Sequence, residues 1–214
     1  MLLSRTRLVL LAVMALALSG AAFADPVNMN FLGPGGNNGG GVYTYPYNFS
    51  INGGATTQLI CDTYDNEIIS GETWQANVNP LLSGSGLFGG STTAYEQAAI
   101  IFSGIVNGTI NASAGNFAIW GLFSSNPQSN PFFASSGASG LESWALAEIS
   151  LMPSGFFNNF ALYTPIPGTQ SWGGTPQEFI GCVVPAPVPE PGTMALLGTG
   201  LFAIGGFLRK KKRA

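Results

Sequence analysis

Residues 42–64 read VYTYPYNFSINGGATTQLICDTY, and this stretch decides the fold that we predict. Apolar and small or polar side chains alternate from Tyr43 to Ile51, and because successive side chains of a strand point to opposite faces, one face of this strand is apolar. Pro46 has no backbone donor, so it indicates an edge strand or a bulge. Asn52-Gly53 is typical of a tight turn with positive φ at both positions, after which Thr56 to Tyr64 returns as a second strand.

Further strands and loops follow this hairpin. Alternation and β-rich composition predict strands at Thr73 to Val78, Phe156 to Tyr163 and Glu178 to Val184. The Gly/Ser-rich stretch Ser83 to Gly90 predicts a loop.

Two helices are predicted from apolar residues at helical spacing. One covers Ala94 to Asn107, with Thr93 and Glu96 as a capping box and Gly108 closing its end. The second covers Leu141 to Leu151, with Ser139 and Glu142 as its capping box. The segment from Phe117 to Phe123 is too short to assign by periodicity.

These elements define an α+β class that is mainly β. We expect an antiparallel β-sandwich or barrel-like ectodomain over 42–184 with two or three inserted helices, together with an N-terminal signal helix and a C-terminal transmembrane helix. The Gly/Asn-rich lead 25–41 holds little to bury, which predicts a loose segment or an irregular strand.

Both ends of the chain carry targeting features. Residues 1–24 have a basic start, an apolar stretch and a small-x-small site before the predicted cleavage between Ala24 and Asp25, which indicates a signal peptide. At the other end, the Pro-rich linker 185–192 precedes an uncharged segment, 193–208, and a basic tail, 209–214. The tail predicts a cytoplasmic C-terminus by the positive-inside rule, and the segment, about 24 Å long as a helix, is a short membrane anchor.

Charge is distributed very unevenly. All seven Lys and Arg residues lie in the two end segments, and the chain has no His. Without cations the ectodomain is not expected to bind nucleic acid, and a Ser-His-Asp triad, a Cys-His nucleophile and a His-based metal site are excluded. We therefore predict no catalytic residue, no metal site and no cofactor.

One acidic cluster admits two interpretations. Asp62, Asp65 and Glu67, with Asn66, supply oxygen ligands of the kind that Ca²⁺ prefers, but their spacing fits no EF-hand loop. A solvated turn between strands is the interpretation that we prefer.

The C-terminal end resembles the PEP-CTERM sorting signal of exported Gram-negative proteins. The resemblance rests on Val188-Pro189-Glu190-Pro191, the apolar segment and the basic finish. It implies export machinery and an exosortase as partners, processing near the Pro-Glu-Pro residues, and an association with cells that make exopolysaccharide. The expected location is an inner-membrane-anchored precursor, and then the cell surface or the extracellular space.

A second resemblance lies inside the ectodomain. The order Cys61-Asp62, Gly71-Glu72-Thr73-Trp74, Tyr95-Glu96-Gln97-Ala98-Ala99 and Ala118-Ile119-Trp120 resembles bacterial thioester domains. In that family a Cys is bonded to the Gln of a Thr-Gln-x-Ala-x-Trp motif. Cys61 matches the Cys, whereas Gly115 and Asn116 stand at the Thr and Gln positions, so the resemblance implies a related scaffold with Cys61 and Asn116 as the candidate thioester pair.

The two cysteines have a simpler alternative. Outside the cytoplasm, Cys61 and Cys182 are a candidate disulfide that would close a long loop and stabilise the fold by about 4 to 5 kcal/mol in the chain-entropy model. Two separate thiols are the other possibility.

Aromatic and acidic side chains provide the remaining candidates for ligand contact. Among the tryptophans we expect Trp74, Trp120 and Trp144 to be core, and Trp172, beside Gly173-Gly174, to be exposed and available to a ligand such as extracellular polysaccharide. A carboxylate pair for glycoside hydrolysis would have to come from Glu72, Glu96, Glu142, Glu148 and Glu178.

Our preferred hypothesis is a non-enzymatic exported surface or matrix protein with a role in adhesion. A covalent thioester adhesin that uses Cys61 is the first alternative, and a carbohydrate-active enzyme is the second.

Overall fold

The structure is a computed structural model that describes residues 26–182. The predicted signal peptide with its cleavage site at Ala24 and Asp25, the Pro-rich linker, Val188 to Pro191, the apolar segment and the basic tail lie outside the described residues. Within the described part, no helix has both the length and the apolar character needed to cross a bilayer.

Eight strands form a closed barrel and a small ribbon. Six of them pair antiparallel in the order β1-β4-β5-β8-β7-β6, and β6 returns to β1. The other two, β2 and β3, form a separate ribbon. Closure pairs both sides of every barrel strand and leaves no open sheet edge. The bounds are β1 Val27–Pro34, β2 Asn38–Gly39, β3 Val42–Tyr43, β4 Tyr47–Ile51, β5 Thr56–Cys61, β6 Thr73–Pro80, β7 Phe160–Pro165 and β8 Phe179–Cys182.

The helices are inserted between β6 and β7. Three of them, α1, α2 and α4, pack against one another, and single 3₁₀ turns occupy Asn126–Ser129, Ile149–Leu151 and Phe156–Asn159. The predicted α+β class is confirmed, and of the two predicted architectures the barrel is the one formed. The bounds are α1 Thr92–Val106, α2 Ala112–Phe123, α3 Pro131–Ser135 and α4 Ala138–Glu148.

The predicted hairpin is present with a later start. Asn52 and Gly53 have φ of 52° and 72°, as a turn of this kind requires. The peptide bond Tyr45-Pro46 is cis, and β4 begins only after it, at Tyr47. Tyr43 therefore lies in the ribbon and is 60% exposed rather than buried on the apolar face.

Aromatic rings fill the barrel. The ring of Phe49 lies 4.7 Å from that of Phe179, 5.7 Å from that of Trp74 and 5.2 Å from that of Phe31, centroid to centroid. These four side chains come from β4, β8, β6 and β1, so each half of the chain contributes to one cluster. Tilted and edge-on ring pairs of this kind add about 0.5–1.5 kcal/mol each beyond the area that they bury.

Of the two forms predicted for the lead at 25–41, the first half adopts the irregular strand, with a register shift between Phe31 and Gly33. Residues 27–34 form β1, which lies between β4 and β6 and pairs with both. Met29 and Phe31 are buried, whereas Leu32 is 48% exposed. The alternation that the hairpin displays is also present here, but asparagines occupy the outward positions, and composition alone concealed it.

Both predicted capping boxes are wrong. The N-cap residue is Ser91 in α1 and Gly137 in α4, and neither residue makes a side-chain cap. The effective cap is on α2, where Asn111 Oδ1 accepts hydrogen bonds from the backbone N–H groups of Ser113 and Ala114 at 3.0 and 3.1 Å. α2 itself is buried continuously from Ser113 to Trp120, which explains why its sequence has no polar face to reveal a helix.

Phe31→Ala and Leu32→Ala provide a matched test of the β1 register. Phe31→Ala opens a cavity in the aromatic cluster and should lower the free energy of unfolding by about 3–5 kcal/mol. Leu32→Ala removes an outward side chain of the same strand and should change it by about 0.5 kcal/mol or less. Urea denaturation of the two variants measures both values, and equal effects would contradict the register.

Candidate functional site

The thioester resemblance is not confirmed, and Asn116 contacts the backbone of Cys61 rather than its sulfur. Cys61 ends β5 and Asn116 lies in α2, and both are fully buried. Asn116 Nδ2 donates to the backbone carbonyl of Cys61 at 2.9 Å, and Asn116 Oδ1 accepts from the backbone N–H of Tyr45 at 2.8 Å. The amide thus fastens two backbone segments of the β layer to the helix, using both of its polar ends.

The Cys61 thiol is held in local contacts. Its sulfur donates to the carbonyl oxygen of Thr63 at 3.2 Å, and the Thr63 N–H points back to the sulfur at 3.4 Å. Burial, followed by the neighbouring Asp62 carboxyl, raises the pKa of Cys61, and the indole of Trp120 beside the sulfur opposes this only in part. Because the thiolate is the nucleophilic form, Cys61 is an unreactive thiol in this fold.

The backbone beside Asn116 is adapted to glycine. A Cβ added to Gly115 would lie 2.6 Å from Ile105 Cδ1 and 3.0 Å from Ile110 Cγ2. Gly115 stands at the Thr position of the thioester motif, so α1 and α2 approach each other where a β-branched side chain would collide. Gly115 and Asn116, which stand at the Thr and Gln positions of that motif, therefore both suit the packing of α2 against α1 and the β layer.

The candidate disulfide is not formed, and both cysteines are free thiols. Cys61 pairs with Phe179 across β5 and β8, whereas Cys182 lies three residues further along β8 and pairs with Phe160 of β7. An offset of three residues is about 10 Å along a strand and places the two side chains on opposite faces. The alternative of two separate thiols describes the structure.

A pair of buried carboxyl groups lies next to Cys61. Asp62 and Glu178 are both fully buried, and the residues 26–182 contain no Lys, Arg or His to neutralise them. Glu178 Oε1 accepts from the Tyr95 hydroxyl at 2.6 Å, and Oε2 accepts from the Leu87 N–H at 2.9 Å and from the Thr164 hydroxyl. Three donors thus converge on one carboxylate.

Asp62 has a different environment. Its Oδ1 accepts from the Thr63 hydroxyl at 3.0 Å, and its buried Oδ2 has no donor within the described part of the chain. Burial, followed by the charge of Glu178, raises the pKa of Asp62 well above its ordinary value. The raised pKa favours the protonated form of Asp62 in this buried pair.

The acidic residues considered as an alternative calcium site do not come together. Asp62 is in the core, whereas Asp65 is exposed and accepts from the Asn126 side chain at 2.6 Å, and Glu67 is exposed on the same segment. Within residues 26–182 no group of three acidic, cysteine or histidine side chains is placed to hold a metal ion. The partner of Asp62 is Glu178, which is distant in sequence and could not be identified from local spacing.

Two of the five carboxylates considered for glycoside hydrolysis are buried. Glu178 is fully buried against Asp62, and Glu72 is 3% exposed and accepts from the N–H of Ile69 at 3.1 Å. Glu96, Glu142 and Glu148 are half-buried on α1 and α4.

The tryptophan predictions are met at three positions of four. Trp74 and Trp120 are each 2% exposed, and Trp172 is 56% exposed in the loop before β8. Trp144 was expected in the core but is 41% exposed on α4, because the helix turns Ala138 and Ala145 inward instead.

A cleft of about 600 Å³ opens beside the buried groups. It lies between the start of β4, the β2–β3 ribbon and the segment 64–70, and Trp120 of α2 and Gln177 contribute to its lining. No sequence pattern marked this cleft, because its walls come from separate parts of the chain. Its aromatic members are Phe31, Tyr43, Tyr47, Tyr64 and Trp120, and its polar members are Asn66, Glu67, Ser70 and Gln177.

Residues 26–182 form an antiparallel barrel with a helical layer and contain no Lys, Arg or His. Residues 187–212, which follow this domain, match the family model of the PEP-CTERM protein-sorting motif. The chain therefore carries the signal that directs export and membrane-associated sorting toward the cell surface by an exosortase, and the predicted resemblance at Val188 to Pro191 is confirmed. Searches of curated proteins and of solved structures returned no match to the chain.

The state of the cysteines gives a direct test of this site. Cys182 is exposed and Cys61 is buried, so a maleimide should label Cys182 in the native protein and both residues after denaturation. The intact mass of the mature protein should show neither loss of ammonia nor loss of two hydrogens. Cys182→Ser should abolish native labelling, and Cys61→Ser should leave it unchanged. A loss of ammonia that disappears in Cys61→Ser would demonstrate a thioester. It would contradict the hydrogen bonds from Asn116 to the backbone of Cys61 and Tyr45 described above.

Proposed function

We propose that this protein is a non-enzymatic component of the cell surface or extracellular matrix, delivered by the sorting motif and contributing to adhesion. The observation that carries the proposal is the PEP-CTERM motif at 187–212, which follows directly on a folded domain. A protein sorted to the surface as an intact domain acts where that domain meets polymers, neighbouring cells or solid surfaces.

The chemistry of the domain supports a binding role rather than catalysis. Residues 26–182 have no Lys, Arg or His, and the interacting carboxyl pair of Asp62 and Glu178 is closed to solvent. The Cys61 thiol is held in its protonated form by burial, and Asn116 is engaged with the backbone. The groups with the most altered chemistry thus stabilise the fold, while the exposed surface is neutral to acidic.

Replacing Pro189-Glu190-Pro191 by alanines tests the delivery step. The altered chain should accumulate in the membrane fraction as unprocessed precursor, with a corresponding loss of surface and released protein, because the residues that the exosortase recognises are gone. Fractionation with immunoblotting of the precursor and mature forms measures this, and attachment of the same cells to a surface reports the adhesive role.

Pro185→Ala provides the matched control, since it alters a proline of the same stretch outside the matched residues. It should leave the distribution unchanged. An unaltered ratio of released to membrane-bound protein in the triple-alanine variant would show that this segment does not direct sorting. A strain that lacks the protein but attaches as well as the wild-type strain would contradict the adhesive role.

A further inference from the structure

The cleft at the β2–β3 ribbon has the size of a ligand site. Its volume of about 600 Å³ falls within the ~300–1,000 Å³ typical of small-ligand clefts. It has room for a short segment of a larger molecule. The wall that faces solvent includes Tyr43, which is 60% exposed, so a ring is available for stacking at the entrance.

The walls combine flat apolar rings with oxygen-bearing side chains. Tyr64 packs edge-on against Trp120 with 5.1 Å between ring centroids, and both line the cleft. Asn66, Glu67 and Ser70 supply acceptors and donors along the opposite rim. Aromatic faces interleaved with amide, hydroxyl and carboxylate groups suit a ligand that is apolar on its ring faces and rich in hydroxyls at its edge.

One polar group of the cleft lining lacks a partner. Gln177 is 6% exposed, and its Nε2 donates to the carbonyl oxygens of Thr63 and Asn66, while its Oε1 accepts nothing from residues 26–182. An unpaired buried acceptor is unfavourable, and the hydroxyl group of a ligand can donate to it. The indole N–H of Trp120 lies beside the Cys61 sulfur, so Trp120 contributes only its ring to the cleft.

The charged side chains around the cleft limit the chemical class of ligand that it can bind. Glu67 lines the cleft, and the nearest Lys or Arg in the sequence is outside the described domain, at residue 7 or residue 209. Phosphate, sulfate and uronate groups would therefore meet a carboxylate and no cation. A proline-rich peptide would stack on the rings, but it has no donor to offer Gln177 from its prolines.

We propose that this cleft binds a neutral saccharide, with Tyr43 and Tyr64 contacting sugar faces and the Oε1 of Gln177 accepting a hydrogen bond from a sugar hydroxyl. This inference deepens the proposed surface role and rests on it for the setting in which the ligand is met. The site is distinct from the exposed Trp172, which does not line the cleft.

Calorimetric titration of the exported mature protein tests this inference. The probes are cellohexaose, laminarihexaose, maltohexaose and xylohexaose, with a galacturonate hexasaccharide and a proline-rich peptide for comparison. At least one neutral hexasaccharide should bind, and Tyr43→Ala should weaken its binding by about tenfold or more, the loss expected when one stacking ring of about 1–3 kcal/mol is removed. Trp172→Ala provides a matched control, an exposed aromatic outside the cleft, and should bind as the wild type does.

Four outcomes would overturn the inference: no binding of any neutral probe, preferential binding of the galacturonate, preferential binding of the peptide, or loss of binding in Trp172→Ala with retention in Tyr43→Ala. Each is independent of sorting, because purified mature protein is used. The proposed function can fail separately. If the purified protein binds the saccharide but the triple-alanine change leaves delivery unaffected, the proposed route to the surface is contradicted and the assignment of the cleft stands.

Discussion

The carboxylate of Glu178 holds together parts of the chain that lie far apart in sequence. It accepts hydrogen bonds from the Tyr95 hydroxyl of α1, the Leu87 N–H of the preceding loop and the Thr164 hydroxyl of β7. Its own backbone N–H donates to the Thr63 hydroxyl at 3.1 Å. The loop, the helical layer and β7 therefore meet at one buried carboxyl group. Since residues 26–182 contain no Lys, Arg or His, the donors to this group are neutral.

A second polar contact repeats this principle on the other side of Cys61. The side-chain amide of Asn116 hydrogen-bonds to the backbone of Cys61 and Tyr45, which fastens α2 to the β layer. Gly115 allows α1 and α2 to approach closely. Polar groups that carry chemistry in other settings here have structural partners. The cleft differs from these contacts, because aromatic rings and oxygen-bearing side chains line it and no Lys, Arg or His of residues 26–182 does.

The sequence predicted what local patterns encode. Alternation and Asn52-Gly53 predicted the hairpin, and the spacing around Phe102 predicted α1. The terminal sorting motif was recognisable because its three parts are contiguous. Composition alone did not predict the strand at 27–34, because asparagines occupy its outward positions. α2 was not assigned from the sequence, because a helix that is buried on all sides has no polar face to show its periodicity.

Sites built from distant residues could not be predicted. Asp62 was assigned to a local acidic cluster, yet its partner, Glu178, lies on the far side of the helical insertion. The cleft likewise joins Phe31, Tyr64 and Gln177, which no spacing relates. The thioester resemblance, which paired Cys61 with Asn116, is not confirmed, because Asn116 donates to the backbone carbonyl of Cys61 while the sulfur is hydrogen-bonded to Thr63.

The pH dependence of stability in Asp62→Asn tests the central claim most directly, because Asn imitates the protonated side chain at every pH. An aspartate whose pKa is raised by folding stabilises the native state fully below its unfolded value of about 3.9, and this contribution is lost as the pH rises toward the folded value. The melting temperature of Asp62→Asn minus that of the wild type should therefore increase as the pH rises from about 4. Glu67→Gln, which alters an exposed carboxylate of the same segment, should show no such trend. Parallel curves for Asp62→Asn and the wild type would show that Asp62 does not retain a proton beside Glu178, and would contradict the account.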